Sequence, residues 1–553
     1  HSGRPAGSDS LSADSILFTT PGDVSLLSAG SLRAVNSLTI LSQGGNINLA
    51  SGSVLDAGTD LRLYALGSLD GAGASVAAGG AVAIGLGSAG DILLGNLTSG
   101  GLLDQADASG NALGTGGIAI GGDFAVSGQL SIGAGSGTIS AASIVIGTLL
   151  ADSQSLTASS GGIRVGNAAL TGLLQLRALN GLAQLTGQVT AGSIDIAAAG
   201  IASNGLGALT GDLLLQSGTS LTVTNAQAAG AIGMIASTGG LTIGNAIAGG
   251  NLSLTGLGIS AQRLGAGGQS LLNAGTGVLS VADIASTGAI TANGAAVSLG
   301  AGGAMIIAQA TATAGALTLD AGGDLSIANA SATGPTTLNA GGLANITGTL
   351  GAPTIAIASG DIAIGNAAQI GSLSGTTSIG FRSVNGQQPA YIGGGDVTGA
   401  YSLSAAELAR AAAGNIAIDA PSRGTATPDL IVQDLTLGAA NLSGGGTLSI
   451  GTGGRLRVQG ALRLTGRSGQ GGLALSAGQA LEIIAGPGLI DISDVNGGLA
   501  GVLSLSAPSV IAATLSALSD VAATPTLNGR ELRLAQNDGL VSDAGTLRAG
   551  TIS

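Results

Sequence analysis

The chain contains no cysteine and no tryptophan, a single histidine at position 1, and no lysine, so that all 16 of its cations are arginine. With no thiol and one imidazole, tetrahedral zinc sites and Cys/His nucleophilic catalysis are excluded. Six aromatic residues among 553 are too few for an ordinary globular core, which draws area from Phe, Tyr and Trp, and too few for the aromatic girdles of an outer-membrane barrel. A net charge of −13 with scattered arginines argues against nucleic acid, whose phosphates need clustered cations. Between Asp212 and Arg263 there is no charge at all, yet Gly, Ser, Thr, Asn and Gln interrupt the run every two or three residues. It therefore lacks the roughly 20 consecutive apolar residues of a membrane-crossing helix, and the segment is read as not membrane-spanning. The absence of cysteine alone fits a reducing cytosol or a bacterial protein exported unfolded. The opening His1-Ser-Gly-Arg-Pro carries no signal peptide and reads as a processed piece of something longer.

What is present is repetition. Residues 316–364 read ALTLDAGGDLSIANASATGPTTLNAGGLANITGTLGAPTIAIASGDIAI, in which Leu319, Leu338 and Ile357 are spaced by 19 and 19 residues, and Ile327, Ile346 and Ile364 by 19 and 18. Around each anchor apolar and polar residues alternate, the period of a strand with one buried face. Ala-Gly-Gly triplets at 301–303, 321–323 and 340–342 fall between the strands, where glycine is expected to supply the positive φ of a tight turn. A unit this small cannot bury its own apolar face, but a stack of copies can. The expected fold is all-β, a long right-handed parallel β-helix (β-solenoid) of about 19–20 residues per coil, with one loop and short-helix insertion. The organisation expected is an N-terminal extension over 1–15, solenoid over 16–379, an insertion over 380–430 and solenoid again over 431–553.

The insertion is marked by a loss of period. Residues 381–391 are polar and aperiodic, and half of the aromatics fall between Phe381 and Tyr401. Ser404 and Glu407 form a capping box ahead of Leu408-Ala-Arg410-Ala-Ala-Ala-Gly414, which predicts a helix over 404–413. Because insertions in a repeat protein map to surface loops, Phe381, Arg382, Tyr391, Tyr401 and Arg410 are a candidate binding patch. The alternative is that the helix covers an apolar side of the rod.

Other candidate chemistry is weak. Of 26 aspartates, seven follow a glycine and start a strand: Asp23, Asp91, Asp123, Asp212, Asp324, Asp361 and Asp396. Asp tolerates turn geometry and bonds local backbone, so these read as structural; the competing reading is a carboxylate pair of a polysaccharide-active β-helix enzyme. Gly393-Gly-Gly-Asp396 is an isolated near-match to a calcium nonapeptide that requires tandem copies. Ser443-Gly-Gly-Gly446 lacks the lysine of a phosphate loop. Gly/Ala-Asn-Ala motifs at 166–168, 244–246, 328–330 and 365–367 recur after strands and read as turns. No catalytic residue, metal ligand or cofactor is assigned.

With its 19–20-residue Gly/Ala/Ser/Thr-rich repeats and little Lys, Cys or aromatic content, the chain resembles the β-helical shaft of filamentous-haemagglutinin-like exoproteins of Gram-negative bacteria, whose export runs by two-partner secretion, and is similar in style to autotransporter shafts. It lacks the Asn-Pro motifs of the former's secretion domain and ends Thr551-Ile-Ser553, without the terminal aromatic of the latter's barrel. The resemblance implies a secreted or cell-surface adhesive fibre of a biofilm or adhesin type. Its partners would be a host-cell, bacterial-surface or glycan receptor, or copies of itself end to end. A self-assembling extracellular filament and a polysaccharide-active enzyme are the alternatives.

Overall fold

The computed structural model describes residues 10–27, 29–87, 90–114, 117–132, 136–424, 428–467, 471–483, 490–494, 502–507 and 509–511, together with the strands Leu527–Ala535, Leu540–Val541 and Leu547–Ile552. About 65% of it is strand, paired in parallel between stacked turns, and the chain divides into two compact units, His1–Ala274 and Gly275–Ser553, each built as a β-solenoid.

In unit 1 the coil is clearest at Leu221–Ala228, which pairs in parallel with Leu241–Ala248: Leu221 with Leu241, Val223 with Ile243 and Ala226 with Ala246. Leu221, Val223, Ala226 and Ala228 are buried while Thr222, Thr224, Asn225 and Gln227 are exposed. The two adjacent exposed residues, Thr224 and Asn225, break the alternation, and the chain turns a corner there without leaving the strand. Leu241–Ala248 and Ile259–Ala266 repeat the pattern at Asn245 and Arg263, and Met305–Ala312 and Leu325–Ala332 do so in unit 2 at Gln309 and Asn329. The Gly-Asn-Ala and Ala-Asn-Ala motifs at 166–168, 244–246 and 328–330 are thus corners inside strands rather than turns after them. There Asn245 donates through Nδ2 to Oδ1 of Asn225 at 2.9 Å, one rung of an amide ladder between coils. From Leu213–Ser217 to Ile232–Ala236 and Leu252–Thr255 a second strand completes each coil.

Unit 2 carries the predicted register. Leu319 pairs with Leu338 and Leu338 with Ile357; Ile327 pairs with Ile346 and Ile346 with Ile364. The inward column Leu299, Leu319, Leu338, Ile357, Phe381 and Ile418 is at most 2% exposed throughout, and each member contributes about 1.5–3 kcal/mol of apolar burial.

The glycine triplets work differently from the expectation. None of the six glycines in them has a positive φ; among the described residues the left-handed glycines lie elsewhere, at Gly52 and Gly371 for example. What Gly341 supplies is room: a Cβ there would lie 2.2 Å from the Gly322 carbonyl oxygen of the coil before, and one at Gly322 would lie 2.5 Å from that of Gly302. At these two positions the stacked backbones approach too closely for a side chain, whereas a Cβ at Gly302 or Gly303 would meet nothing within 4 Å.

The expected boundaries also shift. Ser10–Ala13 pairs with Ser31–Ala34, so residues assigned to an extension already belong to a coil. The spacing is close to the expected 19–20 over the middle of the chain, where paired Leu241 and Ile259 are 18 apart, but is lost elsewhere: paired Leu97 and Leu130 are 33 residues apart, and paired Ile379 and Ile416 are 37 apart. Ser378–Ser383 and Asn415–Ala420 are ordinary coil strands, so the insertion is confined to the segment between them. Within it the helix is only Ala405–Leu408, not 404–413, because Ala411–Ala412 pairs as a strand with Ile370 and Gly371. Tertiary pairing overrides the helix propensity of the alanines.

Candidate functional site

Seven of the chain's aspartates follow a glycine, and the structure shows what most of them do. The Oδ1 of Asp23 accepts from the backbone N–H of Asn46, that of Asp91 from Asp123, that of Asp212 from Ala231 and that of Asp324 from Leu343, at 2.7–2.8 Å. Each carboxylate therefore caps a backbone donor of the next coil, not of its own turn. Asn46, Asn167 and Asn251 act in the same way on Ser68, Gln188 and Gln269. These bonds occupy the carboxylates in stacking.

Asp361 departs from the series. Its Oδ1 accepts from Ser402 N–H at 2.9 Å and from Ile362 N–H at 2.8 Å, so it fastens the insertion, 41 residues on, to the strand Thr354–Ile364. Glu407 fastens the same insertion at a second point. Its Oε1 accepts from Ile364 N–H at 2.8 Å, and its Oε2 accepts from Ser404 N–H at 2.9 Å and from the Ser404 hydroxyl at 2.8 Å. The predicted capping box thus forms, and its glutamate also reaches the strand Thr354–Ile364. Burial pushes both carboxyls above their ordinary values, with the charge of nearby Asp396 adding to it, against the lowering effect of the hydrogen bonds.

The five residues of the candidate patch do not come together on a surface. Phe381 is 1% exposed and stands in the inward column between Ile357 and Ile418. Tyr401 is fully buried, and its hydroxyl has no hydrogen-bond partner in the protein; burial, with the Asp361 and Glu407 carboxylates beside it, pushes the phenol well above its usual value. Tyr391 is half-buried in the strand Ala390–Ile392, between Ser402 and Ile431. Arg410 is spent on the preceding coil, donating to the Ile364 carbonyl and to Oδ1 of Asn366, both at 2.6 Å. Only Arg382 is well exposed, on a different sheet from Tyr391 and 3.9 Å from Asp419. Aromatics in a chain so poor in them mark the insertion's own small core, where Tyr401, Leu403 and Leu408 are all buried.

The sequence reading missed two side chains that hold the insertion and the loop after Ala420. Asn441 is 7% exposed and donates to the carbonyls of Leu408, Ala409 and Ala411, satisfying the end of the short helix. Asp429, 1% exposed, accepts from the N–H and Nε of Arg423 and from the N–H of Arg455. No sequence signal separates them from other Asn and Asp residues, because their partners are 26 to 33 positions away or reached through a loop.

What the insertion leaves open to solvent is a groove of about 470 Å³ in unit 2, lined by Asp361, Asn385 and Gln387, with Gly360 and Gly399 leaving backbone accessible. Planar carboxylate and amide groups of this kind can accept from and donate to paired hydroxyls. Among the described residues no group of three or more His, Asp or Glu is placed to hold a metal ion, and no helix is long and apolar enough to cross a membrane.

The raised carboxyls carry a pH prediction. Both groups hold a proton more tightly folded than unfolded, so their contribution to stability is complete below the ordinary values of 3.8 and 4.5 and is lost as pH rises through the higher folded values. Acidifying from neutrality toward that window is expected to tighten the docking of the insertion, and Glu407→Gln is expected to flatten the response. In unit 1 the sign reverses at Asp195, where the hydrogen bond from Arg177 holds the carboxyl low, so its contribution is present above 3.8 and lost as pH falls. Thermal melting across pH for wild type and the Glu407→Gln variant checks this; identical profiles would show that Glu407 is not the responding group.

No family model, no curated protein and no solved structure matches the chain.

Proposed function

We propose that the chain is a secreted or cell-surface structural and adhesive fibre, without catalysis, displaying a polar groove beside its insertion. The observation that supports this reading is the employment of its carboxylates: Asp361 and Glu407, which fasten the insertion, and Asp429, in the loop after Ala420, all accept backbone N–H groups that join one part of the solenoid to another. A general acid or base needs its oxygens turned to a substrate, and here both oxygens of Glu407 and of Asp429, and Oδ1 of Asp361, are turned to the fold. The adhesive part of the reading rests on the groove, whose uncharged amides and single carboxylate suit the neighbouring hydroxyls of a neutral saccharide.

The test uses the exposed rim. Asn385→Ala with Gln387→Ala removes two amides from an irregular loop and is expected to leave melting unchanged while lowering attachment to cells or glycan-coated surfaces. Attachment that persists in full would remove the groove from the adhesive role. Release of reducing ends from neutral or acidic glycans by the purified chain would overturn the non-catalytic reading and support the polysaccharide-active alternative.

A further inference from the structure

The groove's rim carries a reactive dipeptide. Asn385-Gly386 lies in the loop between the strands Ser378–Ser383 and Ala390–Ile392, where Val384, Gly386, Gln387 and Gln388 are exposed. Loop tips of this kind keep the backbone freedom that paired strands lose. A Cβ added at Gly386 would meet nothing within 4 Å, so its backbone nitrogen is sterically open. Oδ1 of Asn385 accepts from the N–H of Gln387 at 3.0 Å, an Asx turn that polarises the side-chain carbonyl.

We propose that Asn385-Gly386 is a self-modification site at which the chain converts an amide of the groove to a carboxylate. The backbone nitrogen of Gly386 forms a bond to Cγ of Asn385, the bond from Cγ to Nδ2 breaks, and the nitrogen leaves as ammonia, carrying the proton given up by the Gly386 amide. Water then opens the resulting five-membered imide at one of its two carbonyl carbons, leaving aspartate or isoaspartate. The net change is one water consumed and one ammonia released, with no oxidant or metal required.

Five further Asn-Gly pairs occur in the chain, at Asn180, Asn204, Asn293, Asn496 and Asn528. Asn496 lies outside the described residues. Asn293 and Asn528 sit in paired strand positions, whose extended backbone must unpair before the ring can close, while Asn180 and Asn204 sit at corners inside the long strands Leu173–Ala191 and Ser193–Ala208. In two of them the departing nitrogen is also held: Nδ2 of Asn180 donates to the Ser159 carbonyl at 2.9 Å and Nδ2 of Asn204 to the Thr186 carbonyl at 2.7 Å. Around Gly181 and Gly205 the neighbouring coil is close, at 2.1 Å and 2.4 Å from the place a Cβ would take. Among the pairs in the described residues, the solenoid protects those of its own coils and exposes Asn385-Gly386, which its insertion frees. The product places a second carboxylate on the groove beside Asp361, so an aged chain differs from a new one at the surface assigned to adhesion. The chemistry itself does not depend on that assignment.

The full-length wild-type chain, held folded at neutral and mildly alkaline pH and sampled by peptide mass mapping with enzymatic detection of isoaspartate, tests the proposal. Conversion at Asn385 is expected to outpace that at Asn180, Asn204 and Asn293 by about tenfold or more, and the difference is expected to vanish in denaturant. Equal rates in the folded chain would overturn it. Gly386→Ala is expected to slow conversion at Asn385; an unchanged rate would show that the Gly386 nitrogen is not the nucleophile and would also overturn it. Either readout is independent of attachment, so loss of the adhesive reading would leave this result standing, and the converse.

Discussion

Leu338→Asp is expected to unfold the coils around it, lowering the stability of unit 2 by about 3–5 kcal/mol or more. Leu338 is fully buried and pairs with Leu319 on one side and Ile357 on the other, themselves no more than 1% exposed. No polar group of the inward column is available to receive a carboxylate there, so the new side chain must either take up a proton or draw water into the stack. In a solenoid the damage is local in origin, because each coil touches mainly its neighbours, but it is communicated as lost end-to-end pairing. Leu338→Val keeps the chemistry and removes one methylene, and is expected to cost only about 1 kcal/mol. Thermal melting of the two variants distinguishes the cases. A melting curve for Leu338→Asp that matches wild type would mean that Leu338 faces solvent and that the register described above is wrong.

Asp429→Ala is expected to have the second largest effect, about 3–5 kcal/mol, because it breaks a buried pair by removing one partner. The Asp429 side chain is wholly buried and that of Arg423 is 11% exposed, 3.2 Å apart. Alanine would leave the guanidinium of Arg423 without its carboxylate and strip acceptors from the N–H groups of Arg423 and Arg455. Asp429→Asn retains one acceptor oxygen while turning an N–H₂ group toward a donor, and is expected to fall between wild type and alanine. Chemical denaturation of the three proteins gives the order. If alanine were neutral, Asp429 would not be what joins the loop after Ala420 to the strand Arg455–Val458.

The two substitutions differ in how far the sequence alone predicts them. Leu338 is legible because its evidence is local and periodic: alternation around one residue and recurrence of the same pattern 19 positions away specify both the strand and its partner. The same logic identifies Ile327, Ile346 and Ile364 as a second column, and the structure pairs them as the spacing requires. Asp429 is not legible, because nothing in Pro428-Asp429-Leu430 distinguishes a carboxylate that will be buried against Arg423 and Arg455 from one that will cap a coil in the manner of Asp212. The aromatics show the same limit from the other side. Phe381 and Tyr401 stand out in a chain with six aromatics, which suggests a surface for binding; both are instead buried, Phe381 in the inward column of the coils and Tyr401 in the insertion's own core.

Glycine gives a further case in which position was legible and cause was not. The Ala-Gly-Gly triplets announce the boundaries of the repeat, but whether glycine is there for a left-handed turn or for clearance depends on what lies 20 residues away in space, and at Gly341 it is the carbonyl oxygen of Gly322. The helix over 404–413 shortened for a related reason. Its capping box is local chemistry and formed, whereas Ala411 and Ala412 had a free strand edge at Ile370 and Gly371 to pair with, an opportunity that helix propensity does not weigh.

By itself, then, the sequence determined the class of fold, the parallel stacking of coils and the identity of the inward columns in the regular part of the chain, because a short-period pattern repeated many times encodes both strand and register within a few dozen residues. The tertiary structure alone decided where the coils lengthen, which carboxylates fasten the insertion, and that the groove beside it is lined by Asp361, Asn385 and Gln387. Those features depend on contacts between residues tens of positions apart that share no period, and only closure of the stack brings such residues within hydrogen-bonding distance.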